Sequence, residues 1–112
     1  MTHLPVNQTG VTPEISRPAP EKLIAGDPVF TTWNMEDTGD LFAGIWQSTP
    51  GKWRVSYDEW EYFTLTAGHS ILTPDGDVPV ILTTGTRYII RPGFTGTWEV
   101  IETTVKDYVI RL

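Results

Sequence analysis

The chain has no cysteine, only two histidines and far fewer basic than acidic residues. Without cysteine there are no disulfides, no thiolate zinc sites and no thiol nucleophiles. His3 lies near the start and His69 stands alone, so no site built on three imidazoles can form within one chain. Lys and Arg number 8 against 14 Asp and Glu, for a formal net charge of −6. A surface for nucleic acid or for an anionic membrane needs clustered Lys and Arg, so neither partner is expected. No apolar run approaches the roughly 20 residues that cross a bilayer as a helix. The opening "MTHLPVNQTG" lacks a basic stretch followed by an apolar one, so no secretory leader is expected and the simplest location is the cytoplasm.

What the chain does have is aromatic and β-forming. Its 112 residues suit one domain, and 12% are aromatic, including five Trp. Residues 1–21 differ from the rest, holding Pro5, Pro13, Pro18 and Pro20 with no apolar period. They read as an extended arm before a domain at 22–112. Such an arm either trails in solvent or adds a strand to a partner's sheet.

From residue 22 onward, short apolar or aromatic runs alternate with turn chemistry. The runs "PVFTTWN", "LFAGIWQ", "KWRVSY", "WEYFTLT", "SILT", "VPVILT", "RYII", "TWEVIET" and "DYVIRL" read as strands. The breaks "EDTGD", "STPG", "TPDGD", "TTG" and "RPGFTG" carry the Gly, Pro and Asp that tight turns require. No helical apolar stripe appears, so the fold class is all-β, a sandwich or barrel.

Alternation assigns faces. Trp53, Val55 and Tyr57 share one side of their strand, with Arg54 and Ser56 on the other. Which side points inward is open. Glu61 shares its parity with Phe63 and Leu65, which puts a carboxylate on an apolar face. That is costly unless the group is paired, hydrated or used. Arg54 is its expected partner, through two-pronged hydrogen bonding, and Glu61 is either half of that ion pair or a ligand contact. His69 reads as an ordinary strand residue. The tryptophans read as core, with Trp98, beside the "RPGFTG" loop, the one expected near a site.

The stretch "GIWQSTPGKWRVSYDEWEYFTLTAGHSILTPDG" and the later "RPGFTGTWEV" resemble the small cupins. The nearest likeness is to the ureidoglycine aminohydrolase cupin domain and the ethanolamine-utilisation cupin. The resemblance covers about residues 40–112 and implies an antiparallel jelly-roll barrel, usually a homodimer. Metal-binding cupins place three His and one Glu around a divalent ion. Carried onto this chain, the Glu falls on Glu61, six residues before Gly68, but the other positions hold no histidine. The first pair falls on Arg54 and Ser56, or on Val55 and Tyr57, and the last His falls on Gly96. The resemblance therefore implies a barrel with no metal and no cofactor. It would bind a small polar or anionic metabolite, with Arg54, Ser56, Tyr57, Glu61, Phe63 and Trp98 as candidate contacts. An aminohydrolase-like enzyme acting on a small nitrogenous metabolite and a dimeric scaffold are the alternatives.

Overall fold

The computed structural model describes residues 2–112, and among them it contains strands and no helix. The strands are β1 (Glu14–Ser16), β2 (Leu23–Gly26), β3 (Phe30–Asp37), β4 (Leu41–Ser48), β5 (Gly51–Ser56), β6 (Trp60–Pro74), β7 (Val80–Thr83), β8 (Arg87–Ile90) and β9 (Thr95–Arg111). All pairings are antiparallel. The all-β jelly-roll expectation holds.

Two long strands organise the barrel. β9 pairs with β6 from Gly96 to Arg111 along one edge. Its other edge pairs with β5 over Thr95–Val100 and then with β4 over Thr104–Arg111. The free edge of β6 takes β8 at Glu61–Thr64 and β7 at His69–Leu72. Each long strand thus pairs along both edges within one continuous sheet, which curls where the strand bends between its halves. The sequence pattern splits each into two runs, because bulges disturb alternation where the strand turns the corner. The register of β6 against β9 shifts at three steps between Leu65 and Ser70.

Gly68 sits at that corner with φ +96°, a conformation that side-chain-bearing residues avoid. A Cβ there would also strike the backbone of Thr103 and Thr104 on β9. The glycine that closes the Glu61 motif is therefore a corner residue, and its absent side chain lets β6 and β9 cross closely. Beside it, buried Ser70 and Thr104 hydroxyls lie 2.6 Å apart and satisfy each other where the ladder is broken.

The closed end of the barrel is filled by Phe63, Leu65, Leu72, Leu82, Ile90 and Val100, all essentially removed from water. The inward face of β5 is that of Trp53 and Val55, continued by Tyr57 just past the strand. Within the chain, the arm lays β1 against β3, with Glu14 opposite Thr32, and just past the arm β2 pairs with β5. These two short strands carry too little apolar pattern to be read from sequence, and β1 closes an edge by backbone pairing alone.

Gly68→Ala is expected to cost about 2 kcal/mol or more, from forced φ and backbone collision. Urea denaturation would measure this. An unchanged midpoint would show that the corner has other ways to relax.

Candidate functional site

The open end of the barrel holds a cavity of about 740 Å³. Its walls come from β3, β4, β5 and β9, and the end of the arm from Glu14 to Ala19, with Lys22 just past it, flanks its mouth. Aromatic rings interlock around it. Phe30 lies 5.4 Å from Trp46 and 4.8 Å from Trp53, and Trp46 meets Trp98 edge-on at 5.6 Å. Half-buried Phe42 and Tyr57 and buried Tyr108 extend this wall.

At the floor lies the chain's buried ion pair. Lys106 Nζ is 2.8 Å from Glu61 Oε2, and both side chains are almost wholly shielded from solvent. The ammonium also lies over the rings of Trp46, Phe63 and Trp98, at 4.7, 4.8 and 4.6 Å from their centroids. Three π-faces and one carboxylate thus enclose a single cation, which offsets much of its lost hydration. The register places it there: Lys106 stands opposite Leu65 on β9, and Glu61 opposite Ile110, on the same inward face.

Lys106 was not among the sequence candidates, yet a signal existed. It shares parity with Tyr108 and Ile110, so it continues their apolar face two residues toward the N-terminus. A lysine on a core face needs a carboxylate, and Glu61 is a carboxylate on a core face. Joining them requires the pairing of β6 with β9, which sequence alone does not provide.

Arg54 is not the partner of Glu61. It stands on the exposed side of β5 and donates to both oxygens of Asp75, at 2.8 and 2.6 Å. Hydrogen bonding from Arg54 holds the Asp75 carboxyl down at about 2. Ser56 shares that exposed side; both residues border the rim only. Tyr57, Glu61 and Trp98 do line the cavity, and Phe63 lies beneath it against Lys106. Burial, then the charge of Glu61, push the Tyr57 phenol well above its ordinary range. The same causes push Tyr108 up to about 12, and its hydroxyl donates to Asn34 Oδ1 at 2.7 Å. The "RPGFTG" loop is pinned to this wall, Gly93 N–H donating to the Tyr57 carbonyl at 2.7 Å. Trp98 is 1% exposed, and its buried indole N–H has no partner among the described residues. His69 is half-buried on β6, in register with Thr83 and Glu102, away from the cavity lining.

These residues do not fit the divalent metal of metal-binding cupins. Arg54 and Ser56 face outward, and Val55 and Tyr57 face inward without an imidazole. Gly96 has no room for a side chain, because a Cβ would strike the Thr73 carbonyl. Glu61 already holds a cation. Among the described residues no three His, Asp, Glu or Cys side chains converge.

The model of the EutQ-like cupin domain matches residues 35–108, and the chain belongs to that family. It is similar to the Clostridium difficile EutQ protein, at TM-score 0.67 and 17% identity over 75% of this chain and 63% of that one. A Pseudomonas syringae pv. tomato protein of unknown function aligns at TM-score 0.81 and 25% identity, over 94% of this chain and 46% of that one. The Salmonella typhimurium ethanolamine utilization protein Q aligns at TM-score 0.65 and 14% identity, over 90% of this chain and 96% of its own. This chain therefore spans under two thirds of the first two proteins. No curated protein matches.

Two outcomes are expected. Lys106→Met strands the Glu61 charge and costs about 3–5 kcal/mol, while Lys106→Met with Glu61→Leu recovers most of it. Additive losses in a urea double-mutant cycle would show that the two groups are not coupled. For the surface pair, Asp75 ionises lower in the folded chain (about 2) than unfolded (about 3.9). Its contribution is present above the unfolded value and is lost as pH falls through the folded one. The stability gap between the chain and Asp75→Asn should be flat above about pH 5 and close toward pH 2.

Proposed function

We propose that this cupin binds a small polar metabolite in its barrel mouth without a metal. The observation that carries the reading is the Lys106 ammonium against Glu61, the one carboxylate of the metal motif that the chain retains. A resident cation at that carboxylate supplies the positive charge that a metal supplies elsewhere, and it needs no cofactor. Above it, a roomy cavity with aromatic walls and a few polar groups has the make-up of a small-molecule pocket. The unpartnered Trp98 N–H supports the same reading, because a buried donor gains from an acceptor brought by ligand or water. Nothing in the cavity favours an aminohydrolase-like reaction over binding. A cytoplasmic homodimer is the setting in which we place this activity, on the family resemblance.

Two measurements test the proposal together. Metal analysis of the purified protein is expected to find well under one divalent ion per chain; a stoichiometric ion would overturn the metal-free reading. A thermal-shift screen of small amines, amides and carboxylic acids is expected to raise the melting temperature for at least one class. That shift should vanish in Val55→Trp, which fills the cavity from the inward face of β5. No shift from any class would favour a scaffold without ligand.

A further inference from the structure

One wall of the barrel is apolar on both sides. It is built from β3, β4, β8, the first half of β6 and the second half of β9. Alternation turns Glu61, Phe63, Lys106, Tyr108 and Ile110 inward, so the residues between them face out. On that outer face one cross-strand row reads Ala43, Val109, Tyr62 and Ile89. The next row reads Leu41, Arg111 and Trp60, and Trp33 joins from β3. Trp33, Trp60, Tyr62, Val109 and Ile89 belong neither to the core nor to the lining of the cavity at the barrel mouth. Ile89 is 49% exposed and the other four are half-buried.

The wall made with β5 and β7 differs. Its outward positions hold Lys52, Arg54, Thr97, Glu99 and Thr73, with Ile71 and Ile81 the apolar exceptions. Polar residues outside are the rule for an antiparallel sheet with one face in water. The first wall departs from that rule, and a contiguous apolar patch of this kind marks an interaction surface. Five strands about 4.8 Å apart and three side-chain rows about 7 Å apart give it roughly 500 Å² in projection, and more with side-chain relief. Specific interfaces begin near ~600 Å² a side.

The charges on this face say what covers it. Asp107 and Arg111 are exposed, stand two residues to either side of Val109, and form no ion pair among the described residues. A twofold interface must be self-complementary, each patch meeting its own copy. An axis that crosses the strands at Val109 lays Asp107 of each copy over Arg111 of the other, and Tyr62 over Tyr62. Partial burial raises the Asp107 carboxyl with no cation offsetting it, as fits an acid whose counter-charge lies outside the chain. The other charges here, Glu36 and Arg87, lie on the edge strands β3 and β8, where the rim of an interface stays wet.

We propose that this outer face, centred on Val109 and Tyr62, docks a second copy of the chain about a twofold axis, with reciprocal Asp107–Arg111 ion pairs. The face lies outside the cavity, so the inference does not depend on the small-molecule reading.

The test is charge reversal and swap in the intact chain, read by sedimentation equilibrium, with circular dichroism to check each fold. The parent is expected to be a dimer at about 20 μM, as a specific interface of this size allows. Asp107→Arg alone and Arg111→Asp alone are each expected to weaken association about tenfold or more, because like charges then meet. The double variant, Asp107→Arg with Arg111→Asp, is expected to restore it to within about threefold of the parent. Ile89→Lys, at an exposed apolar position that bears no part of the ion pairs, is expected to weaken it as well. A monomeric parent overturns the proposal and the homodimer setting while leaving the pocket reading intact. A dimer unchanged in both single reversals and in Ile89→Lys places the interface elsewhere and also overturns it. A double variant no tighter than the single ones overturns the reciprocal pairing.

Discussion

A lysine ammonium and a glutamate carboxylate, 2.8 Å apart inside a shell of aromatic rings, are the constraint on which the interior of this barrel depends. Two charges out of water are tolerated only when each has the other and the remaining directions are also favourable. Here those directions are π-faces. Trp46 on β4, Phe63 on β6 and Trp98 on β9 each touch the cation. The pair therefore ties β4, β6 and β9 to one point. It also divides the interior: below lies a dry aliphatic end, above lies a polar and aromatic cavity open to solvent.

That arrangement needs the two bent strands. β6 supplies Glu61 and Phe63 from its first half and Leu72 from its second. β9 supplies Trp98 and Val100 early and Lys106 and Tyr108 late. A flat sheet would leave the halves of each strand far apart. The corner at Gly68, where β6 passes the backbone of Thr103 and Thr104 without a side chain between them, brings them over one another. The corner glycine and the floor pair are thus parts of one device: the bend creates the interior in which an ion pair can be shielded.

Membership of the EutQ-like cupin domain family accounts for the fold. It does not account for activity, since one barrel architecture hosts many chemistries. The departures from the metal-binding pattern are physically coherent rather than scattered. One histidine position is a glycine with no space for a side chain, another pair is turned outward or lacks imidazole, and the surviving carboxylate has a built-in cation. The lack of further ligands and the presence of Lys106 fit together, because a lone Glu61 in this environment would be an unpaired buried charge.

Much of the fold was legible along the chain. Turn residues at short spacing marked the strands, and alternation put Glu61 on the face of Phe63 and Leu65, where it lies. The continuous nature of β6 and β9 was not legible, because bulges break period-two patterning where a strand turns a corner. β1 and β2 were hidden because backbone pairing at an edge leaves little mark on composition. The partner of Glu61 was misread for a specific reason: Arg54 is near in sequence and has the right chemistry, whereas Lys106 is 45 residues away. Local pattern decides which face a residue takes, since that follows from the geometry of a single strand. Which charge meets which depends on register between distant strands. Only the folded sheet decides that.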